Sequence, residues 1–254
     1  MKDKIVFITG AARGIGYEMA QVFLEAGAKV MISDIQEETL EKALESLPDH
    51  AAGIVCDVSN EEDVKRAVDA TVAQFGAIDI LINNAGLQHV AMIEDFPAAK
   101  FEQMLKIMLV GPFLTTKYAL PYMKENNFGR IINISSINGL IGFAGKSAYN
   151  AAKHGVIGLT KVTALETAAY NITANAICPG YADTALVRGQ FEDLAKTRGI
   201  STEQVLDEVL FPLIPQKRLL DVAEIALLAK YLASEQSRGM TGQSLVLDGG
   251  YTTQ

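Results

Sequence analysis

The sequence predicts a single α/β domain built on a doubly wound, parallel, Rossmann-type sheet. Short apolar, β-branched runs alternate with longer helical patterns along the chain. The runs end in turn-forming or polar residues, and no repeat, linker or low-complexity segment interrupts the 254 residues. Such alternation is typical of βαβ units, whose right-handed crossovers cover both faces of a parallel sheet with helices.

Seven strands and five main helices are predicted. The strands share an apolar, β-branched composition and span residues 5–9, 29–33, 53–56, 78–83, 130–135, 172–178 and 244–247. The helices share an amphipathic pattern and span residues 14–25, 37–47, 61–75, a long region ending near 125, and 148–169. Residues 181–219 are polar, turn-rich and only weakly helical. Long excursions of this kind are usually functional, so we expect this segment to act as a helical substrate lid.

Composition excludes several classes of partner. The chain has 22 basic and 30 acidic residues, a net charge of −8, and no basic cluster. This balance argues against nucleic-acid binding and against a polybasic membrane-surface protein. The apolar run at the start is too short for a signal peptide, and no stretch suits a bilayer span, so a cytoplasmic location is expected. Cys56 and Cys178 lack the spacing of a metal site, and we expect no metal.

A glycine-rich loop joins the first strand to the first helix. Gly10 permits the sharp turn, Gly14 allows backbone N–H groups to approach a pyrophosphate, and Gly16 allows close packing of helix and sheet. Arg13 and Ile15 lie in the same loop, where Arg13 is placed to stack on adenine or approach a phosphate. The spacing is G-x-x-x-G-x-G rather than G-x-G-x-x-G, and the strand–loop–helix context predicts a dinucleotide site.

Asp34 indicates which dinucleotide binds. It ends the second strand, 34 − 14 = 20 residues after Gly14. Its carboxylate is placed to accept hydrogen bonds from both ribose hydroxyls of the adenosine and would repel a 2′-phosphate. The sequence therefore favours NAD as the cofactor, while Arg13 keeps NADP open.

A second motif carries acid–base chemistry. Tyr149 and Lys153 are i and i+4 on one helix, so their side chains meet. An ammonium beside a phenol is expected to lower the tyrosine pKa from about 10 toward neutral, which makes a general base for alcohol oxidation. Ser136, at the end of another strand, is placed to donate to the same substrate oxygen. These three residues are the predicted catalytic set.

Taken together and in order, these motifs resemble the short-chain dehydrogenase/reductase family over essentially the whole chain. The remaining matches are Asp57-Val58, Asn83-Asn84-Ala85-Gly86, Pro179-Gly180 with Thr184, and Asp248-Gly249-Gly250. The resemblance implies that the cofactor also contacts further residues. These are Asp57 and Val58 at the adenine, Asn84 near the adenosine ribose, Pro179, Gly180 and Thr184 at the nicotinamide, and Tyr149 with Lys153 at the active centre.

One position departs from the family pattern. The family often carries a catalytic Asn just ahead of a Gly-x-Phe in the helix before the fifth strand. Met108 stands at that position here, before Gly111-Pro112-Phe113. Methionine is not a hydrogen-bond donor, so a backbone carbonyl or water must hold the proton relay, or proton transfer is slower. Packing is the only role expected of Met108.

Further residues resemble the bacterial D-3-hydroxybutyrate dehydrogenases within this family. In that group a Gln, a Lys and a second Gln grip the substrate carboxylate, and these map to Gln88, Lys146 and Gln190. Asn138 replaces a His of that group, and Tyr181 replaces a Trp; Tyr251 stands where a C-terminal Trp is sometimes found. The predicted substrate-binding set is Gln88, Ser136, Asn138, Lys146, Tyr149, Tyr181 and Gln190.

The resemblance thus implies interconversion of (R)-3-hydroxybutyrate and acetoacetate, a reaction of ketone-body metabolism, with NAD and in a homotetramer. Two alternatives within enzymes stay open: a 3-oxoacyl reductase, and a dehydrogenase for a neutral polyol or acetoin. A third belongs to another class, a non-catalytic NAD-binding regulator. Met108 is the only feature that favours the regulator, and the complete Ser136, Tyr149 and Lys153 set weighs against it.

Overall fold

A computed structural model describes the backbone of residues 1–253, with all their side chains except those of 186, 192–194 and 196–198. Within this range the chain forms a seven-stranded parallel sheet with the strand order β3-β2-β1-β4-β5-β6-β7. The strands are β1 (Ile5–Thr9), β2 (Lys29–Asp34), β3 (Ala51–Val55), β4 (Ile80–Asn83), β5 (Gly129–Ile134), β6 (Ile172–Pro179) and β7 (Ser244–Leu247). The order reverses between β1 and β4, which confirms the predicted doubly wound fold.

Helices cover both faces of the sheet. They are α1 (Gly14–Glu25), α2 (Glu37–Glu45), α3 (Glu61–Phe75), α4 (Ala98–Leu105), α5 (Gly111–Glu125), α6 (Ser147–Thr167), α7 (Ala185–Arg198), α8 (Thr202–Gln204) and α9 (Val222–Leu232). Side chains of β1 show how the faces divide. Val6 and Ile8 pack in the cluster of α1, α2 and α9, whereas Phe7 packs in the cluster of α3, α5 and α6. Both faces of a parallel strand are therefore buried, as its continuous apolar sequence requires.

The long helix predicted to end near residue 125 is interrupted. A π-helical turn, Lys106–Val110, separates α4 from α5. Pro112, in the first turn of α5, lacks an N–H, and its ring crowds the carbonyl four residues earlier, at Met108. A π turn absorbs this mismatch without ending the helical path.

The segment 181–219 is more regular than its weak helical sequence pattern indicates. It contains the fourteen-residue α7, the short α8 and a π turn, Val205–Leu210. Its helices have a small core of their own, made by Phe191, Ala195, Val205, Leu210 and Ile214. The helical character expected of this segment is therefore present, and the core that stabilises it joins residues that are distant in sequence.

A buried polar ladder ties the sheet to two helices. Asn83 donates to Asn133 across β4 and β5, and Asn133 donates to Thr160 of α6, each at 2.8 Å. On the other side, Thr115 of α5 donates to Asn83. Because unpaired polar groups are costly in a dry core, this ladder fixes how α5 and α6 lie against the carboxyl ends of β4 and β5. Among the described residues, no helix combines the length and the apolar character needed to cross a membrane.

Candidate active site

The glycine loop lies at the carboxyl end of β1 and has the conformation that glycine favours. Gly10 has a φ of 61°, and a Cβ there would lie 2.7 Å from the Cα of Ala85, so a larger residue does not fit. The Asn84 amide donates to the carbonyls of Thr9 (3.1 Å) and Gly10 (2.7 Å). Asn84, predicted near the adenosine ribose, therefore uses both amide hydrogens to hold the loop.

The loop and its surroundings fit a dinucleotide. The N-terminus of α1 follows Arg13, whose exposed side chain does not cap the helix, so the first N–H groups are available to an anion. Ile15 packs against the core and Gly14 is exposed. The carboxylate of Asp34 lies beside the loop and accepts from the N–H of Ala12 at 3.4 Å. The predicted phosphate loop and the predicted ribose-binding carboxylate therefore lie side by side.

The remaining predicted cofactor residues lie along the same edge of the sheet. Asp57 follows β3 next to the end of β2, and it accepts hydrogen bonds from the backbone and hydroxyl of Ser59. Val58 is buried against Gly111. On the far side, Pro179 ends β6 with Gly180 after it, and Thr184 approaches the glycine loop. A Cβ on Gly14 would lie 3.8 Å from the Thr184 methyl group. The predicted nicotinamide loop and phosphate loop are therefore adjacent.

The three predicted catalytic residues meet between β5 and α6. Ser136 follows β5, and its hydroxyl lies beside the Tyr149 phenol, close enough to lower the pKa of that phenol. The Lys153 ammonium is buried and donates to the carbonyl of Ile134, the last residue of β5, at 2.6 Å. It lies 5.5 Å from the centroid of the Tyr149 ring. Local helix geometry brings Tyr149 and Lys153 together, and Lys153 ties both to the strand that carries Ser136.

The expected lowering of the Tyr149 pKa is not what this geometry gives. Burial raises the pKa of the phenol above its ordinary value, and the nearby Ser136 hydroxyl opposes that rise. Burial also lowers the pKa of Lys153 to about 8, because the buried site disfavours its charged form. The prediction relied on the spacing of the two residues, which reveals their contact and not their burial. That direction was wrong.

One small pocket of about 70 Å³ opens beside Tyr149. It is lined by all seven residues of the predicted substrate-binding set: Gln88, Ser136, Asn138, Lys146, Tyr149, Tyr181 and Gln190. Three other residues complete it. Gly180 was predicted for the cofactor, Ile137 directly follows the predicted catalytic residue Ser136, and Val187 lies in α7. Ile137 could have been predicted because it directly follows Ser136, whereas no motif or spacing in the sequence indicated Val187.

Lys146 brings a positive charge into this pocket. The residue is only 8% exposed, and its ammonium lies 4.6 Å from the ring centroid of Phe143 and 5.9 Å from that of Tyr181. Burial lowers its pKa, and the described part of the chain places no carboxylate against it to oppose that effect. A buried cation that faces aromatic rings and amides is a good receptor for an anion.

Tyr251 and Met108, two departures from the family patterns, lie outside the pocket. Tyr251 contacts Tyr181, with ring centroids 5.8 Å apart, and does not itself line the pocket. Met108, in the π turn, is buried against Met104 and against Ala148 of α6, next to Tyr149. By packing, its side chain supports α6, the helix that carries Tyr149. Over the described residues, no three or more His, Cys, Asp or Glu side chains are grouped as a metal site requires.

Comparison with known proteins identifies the family. Residues 10–252 match the family model described as enoyl-(acyl carrier protein) reductase. An uncharacterized oxidoreductase of Bacillus subtilis, YxjF, is 56% identical, with each chain covered in full. The D-beta-hydroxybutyrate dehydrogenase of Rhizobium meliloti is 40% identical, with 99% of each chain covered. The chain belongs to the short-chain dehydrogenase/reductase family. It is an oxidoreductase, and the family resemblance drawn from its motifs is confirmed.

A solved structure agrees with this assignment. An actinorhodin polyketide ketoreductase, determined with NADPH, superposes with a TM-score of 0.95 at 32% identity, with each chain covered in full. Members of the short-chain dehydrogenase/reductase family use a nicotinamide cofactor, which supplies the hydride chemistry. The glycine loop and the carboxylate of Asp34 fit that group.

The Ser136 hydroxyl beside Tyr149 yields a testable pH dependence. It lowers the Tyr149 pKa, so Ser136→Ala should raise that pKa further. Alcohol oxidation requires the deprotonated phenol. In Ser136→Ala the acid limb of the kcat/KM–pH profile for this reaction should therefore move to higher pH. Loss of the donor to the substrate oxygen should also reduce kcat by roughly 10²- to 10³-fold.

The matched control is Ser147→Ala, on α6, the helix that carries Tyr149. The buried Ser147 hydroxyl has no hydrogen-bond partner, so this variant should keep the wild-type profile. An acid limb that stays in place in Ser136→Ala would remove Ser136 from the control of the Tyr149 pKa.

Proposed function

We propose that this oxidoreductase uses NAD to interconvert (R)-3-hydroxybutyrate and acetoacetate. The observation that carries the proposal is the buried Lys146 ammonium in the same small pocket as Ser136 and Tyr149. A substrate with one carboxylate and one alcohol or ketone group matches this arrangement. The 40% identity to the Rhizobium D-beta-hydroxybutyrate dehydrogenase supports the same assignment.

The carboxylate end is bound by Lys146 and by amides. Gln88, Asn138 and Gln190 also line the pocket and supply polar groups around the cation. One cation with a few amide donors suits a small carboxylate, because charge-assisted hydrogen bonds are roughly twice as strong as those between neutral groups. The modest pocket volume favours a short acid, and the Tyr181 ring offers an apolar wall with a polar tip.

The reacting end is handled by the Ser136, Tyr149 and Lys153 set. In alcohol oxidation the phenol oxygen of Tyr149 takes the hydroxyl proton, and in ketone reduction the phenol returns it. Ser136 donates to the same substrate oxygen and stabilises the charge that develops there. Lys153 holds Tyr149 in register and binds the nicotinamide ribose. A bound nicotinamide supplies the hydride chemistry.

The segment 181–219 acts as a lid in this proposal. It contributes Tyr181, Val187 and Gln190 to the pocket, so its position determines whether the pocket is complete. A lid that closes over the substrate excludes water from the site of hydride transfer.

A second candidate is a ketoreductase that prefers NADPH. The superposition on an actinorhodin polyketide ketoreductase with NADPH favours it, and the exposed Arg13 is available to a 2′-phosphate. A non-catalytic NAD-binding regulator rests on Met108 alone. The complete catalytic set, gathered around a pocket with a buried cation, weighs against that regulator.

We also propose a homotetramer in the cytoplasm, without nucleic-acid or membrane partners. The exposed apolar side chains Val162 and Leu165 on α6, the latter 82% exposed, support an interface on that helix. Sedimentation equilibrium that finds only monomer at micromolar concentration would contradict the tetramer.

Replacing the pocket cation tests the substrate class. Lys146→Ala should raise KM for (R)-3-hydroxybutyrate roughly 10- to 150-fold, as expected for loss of a hydrogen bond to a charged group. Its kcat/KM for a small neutral alcohol should change little. Lys100→Ala provides the matched control and should behave like the wild type, because this half-buried lysine of α4 lies outside the pocket and donates to Gln103.

Two results would contradict the carboxylate assignment. An unchanged KM for the acid in Lys146→Ala would remove Lys146 from the carboxylate site. A wild-type enzyme that oxidises a neutral alcohol well, and (R)-3-hydroxybutyrate not at all, would overturn the proposed reaction itself.

Asp34 tests the choice of cofactor. With NAD, Asp34→Ala should lose kcat/KM by about tenfold or more, because the ribose hydroxyls lose a charged acceptor. With NADP the same variant should gain, since the repulsion of the 2′-phosphate is removed. A wild-type preference for NADP would contradict the proposal, and steady-state kinetics with both cofactors measures it directly.

A further inference from the structure

The C-terminal turn, residues 248–253, is organised by one buried carboxylate. Asp248 directly follows β7 and is 8% exposed. Its Oδ1 accepts from the Gly250 N–H at 2.8 Å, and its Oδ2 accepts from the N–H and hydroxyl of Thr252 at 2.8 and 2.6 Å. Three donors on one carboxylate hold a turn that has no regular secondary structure beyond its last three residues.

This turn touches the start of the 181–219 segment. The Gly180 N–H donates to the Leu247 carbonyl at 2.9 Å. A Cβ on Gly180 would lie 3.0 Å from the Cα of Asp248, so the two backbones are in close contact. The Tyr251 ring then packs against Tyr181, which lines the pocket.

The same turn touches the other end of the segment. The Gly249 carbonyl accepts from the Gln216 N–H at 3.1 Å. Gly249 and Gly250 have positive φ angles, and a Cβ on either would lie 2.9 Å from a side-chain carbon, of Ile214 or Pro215 respectively. These glycines allow the turn to press against the end of the segment, where larger residues would be strained and too close.

We propose that Asp248 is a positioning residue, which fixes both ends of the substrate lid through the C-terminal turn and thereby holds Tyr181 against the pocket. The inference rests on the proposed function, since it takes the segment as the lid of the substrate site. Asp248 lies outside the pocket and acts through Tyr251 and the lid ends. Glycines with positive φ lose much conformational entropy on ordering, so the turn depends on the bonds to this carboxylate.

The experiment compares variants of the full-length enzyme. Asp248→Asn replaces one acceptor oxygen by an NH₂ group, which meets an N–H or hydroxyl donor with another donor. Thr252→Val removes the hydroxyl donor alone, and Thr252→Ser restores it. Asp79→Asn is the matched control. Its carboxylate also accepts a hydrogen bond from a backbone N–H, that of Ile5 at 2.9 Å, but at the amino-terminal ends of the strands.

Two measurements are made on each variant. Amide hydrogen exchange of residues 185–213 reports the lid, with β2 as the internal reference. Steady-state kinetics separates KM from kcat for (R)-3-hydroxybutyrate.

For Asp248→Asn we expect lid exchange and KM each to rise about tenfold, with kcat within about twofold of wild type, because only the lid is loosened. Thr252→Val should show a smaller rise in both, about threefold, and Thr252→Ser should match the wild type. Asp79→Asn should leave lid exchange and KM unchanged, although it lowers global stability.

Wild-type lid exchange in both Asp248→Asn and Thr252→Val would overturn the inference. So would an equal rise in lid exchange in Asp79→Asn, since that would mark a general loss of stability. If the wild type does not turn over (R)-3-hydroxybutyrate, the proposed function fails, and lid exchange alone then decides the role of Asp248. The two failures are thus distinguishable.

Discussion

The hydrogen bond from the Lys153 ammonium to the Ile134 carbonyl is the contact on which the active site depends. It joins α6, which carries Tyr149, to the last residue of β5, directly before Ser135 and Ser136. Ser135 adds a second tie through its hydroxyl, which donates to the carbonyl of Lys153. Without this junction the phenol and the serine hydroxyl would have no fixed separation, and acid–base catalysis needs one.

The two lysines of the site are both buried, but their ammonium groups face different surroundings. Lys153 has its pKa lowered to about 8 and donates to a neutral carbonyl, and none of the described carboxylates pairs with it. Lys146 also has its pKa lowered by burial, and it faces the pocket rather than the backbone. The chain as a whole has a net charge of −8, which would repel a small acid at long range. At contact distance inside a pocket, a nearby buried cation outweighs that screened field.

Much of this arrangement was predictable because its determinants are local. The glycine loop, Asp34, and the i, i+4 pair of Tyr149 and Lys153 follow from short spacings placed on a predicted strand or helix. Burial and long-range packing were not predictable in this way. The raised pKa of Tyr149 and the helical core around Phe191 both depend on residues far away in sequence.

The same distinction explains the other differences. The π turn at Met108 lies one helical turn before Pro112. In the sequence, only the Gly111-Pro112 pair indicates this interruption of the helix. Val187 lines the pocket because α7 folds back over the pocket, and no sequence motif or spacing predicts that contact. The role inferred for Asp248 depends on the ends of a segment more than thirty residues away.

The central claim, that Tyr149 transfers the proton at a nicotinamide-dependent site, is tested most directly by Tyr149→Phe. This variant should lose kcat by about 10²- to 10⁴-fold while its affinity for NADH, measured by fluorescence titration, stays at the wild-type value. Tyr122→Phe, which removes a phenol hydroxyl bonded to Asp69 on an exposed surface, should retain full activity. Wild-type turnover in Tyr149→Phe would contradict the account.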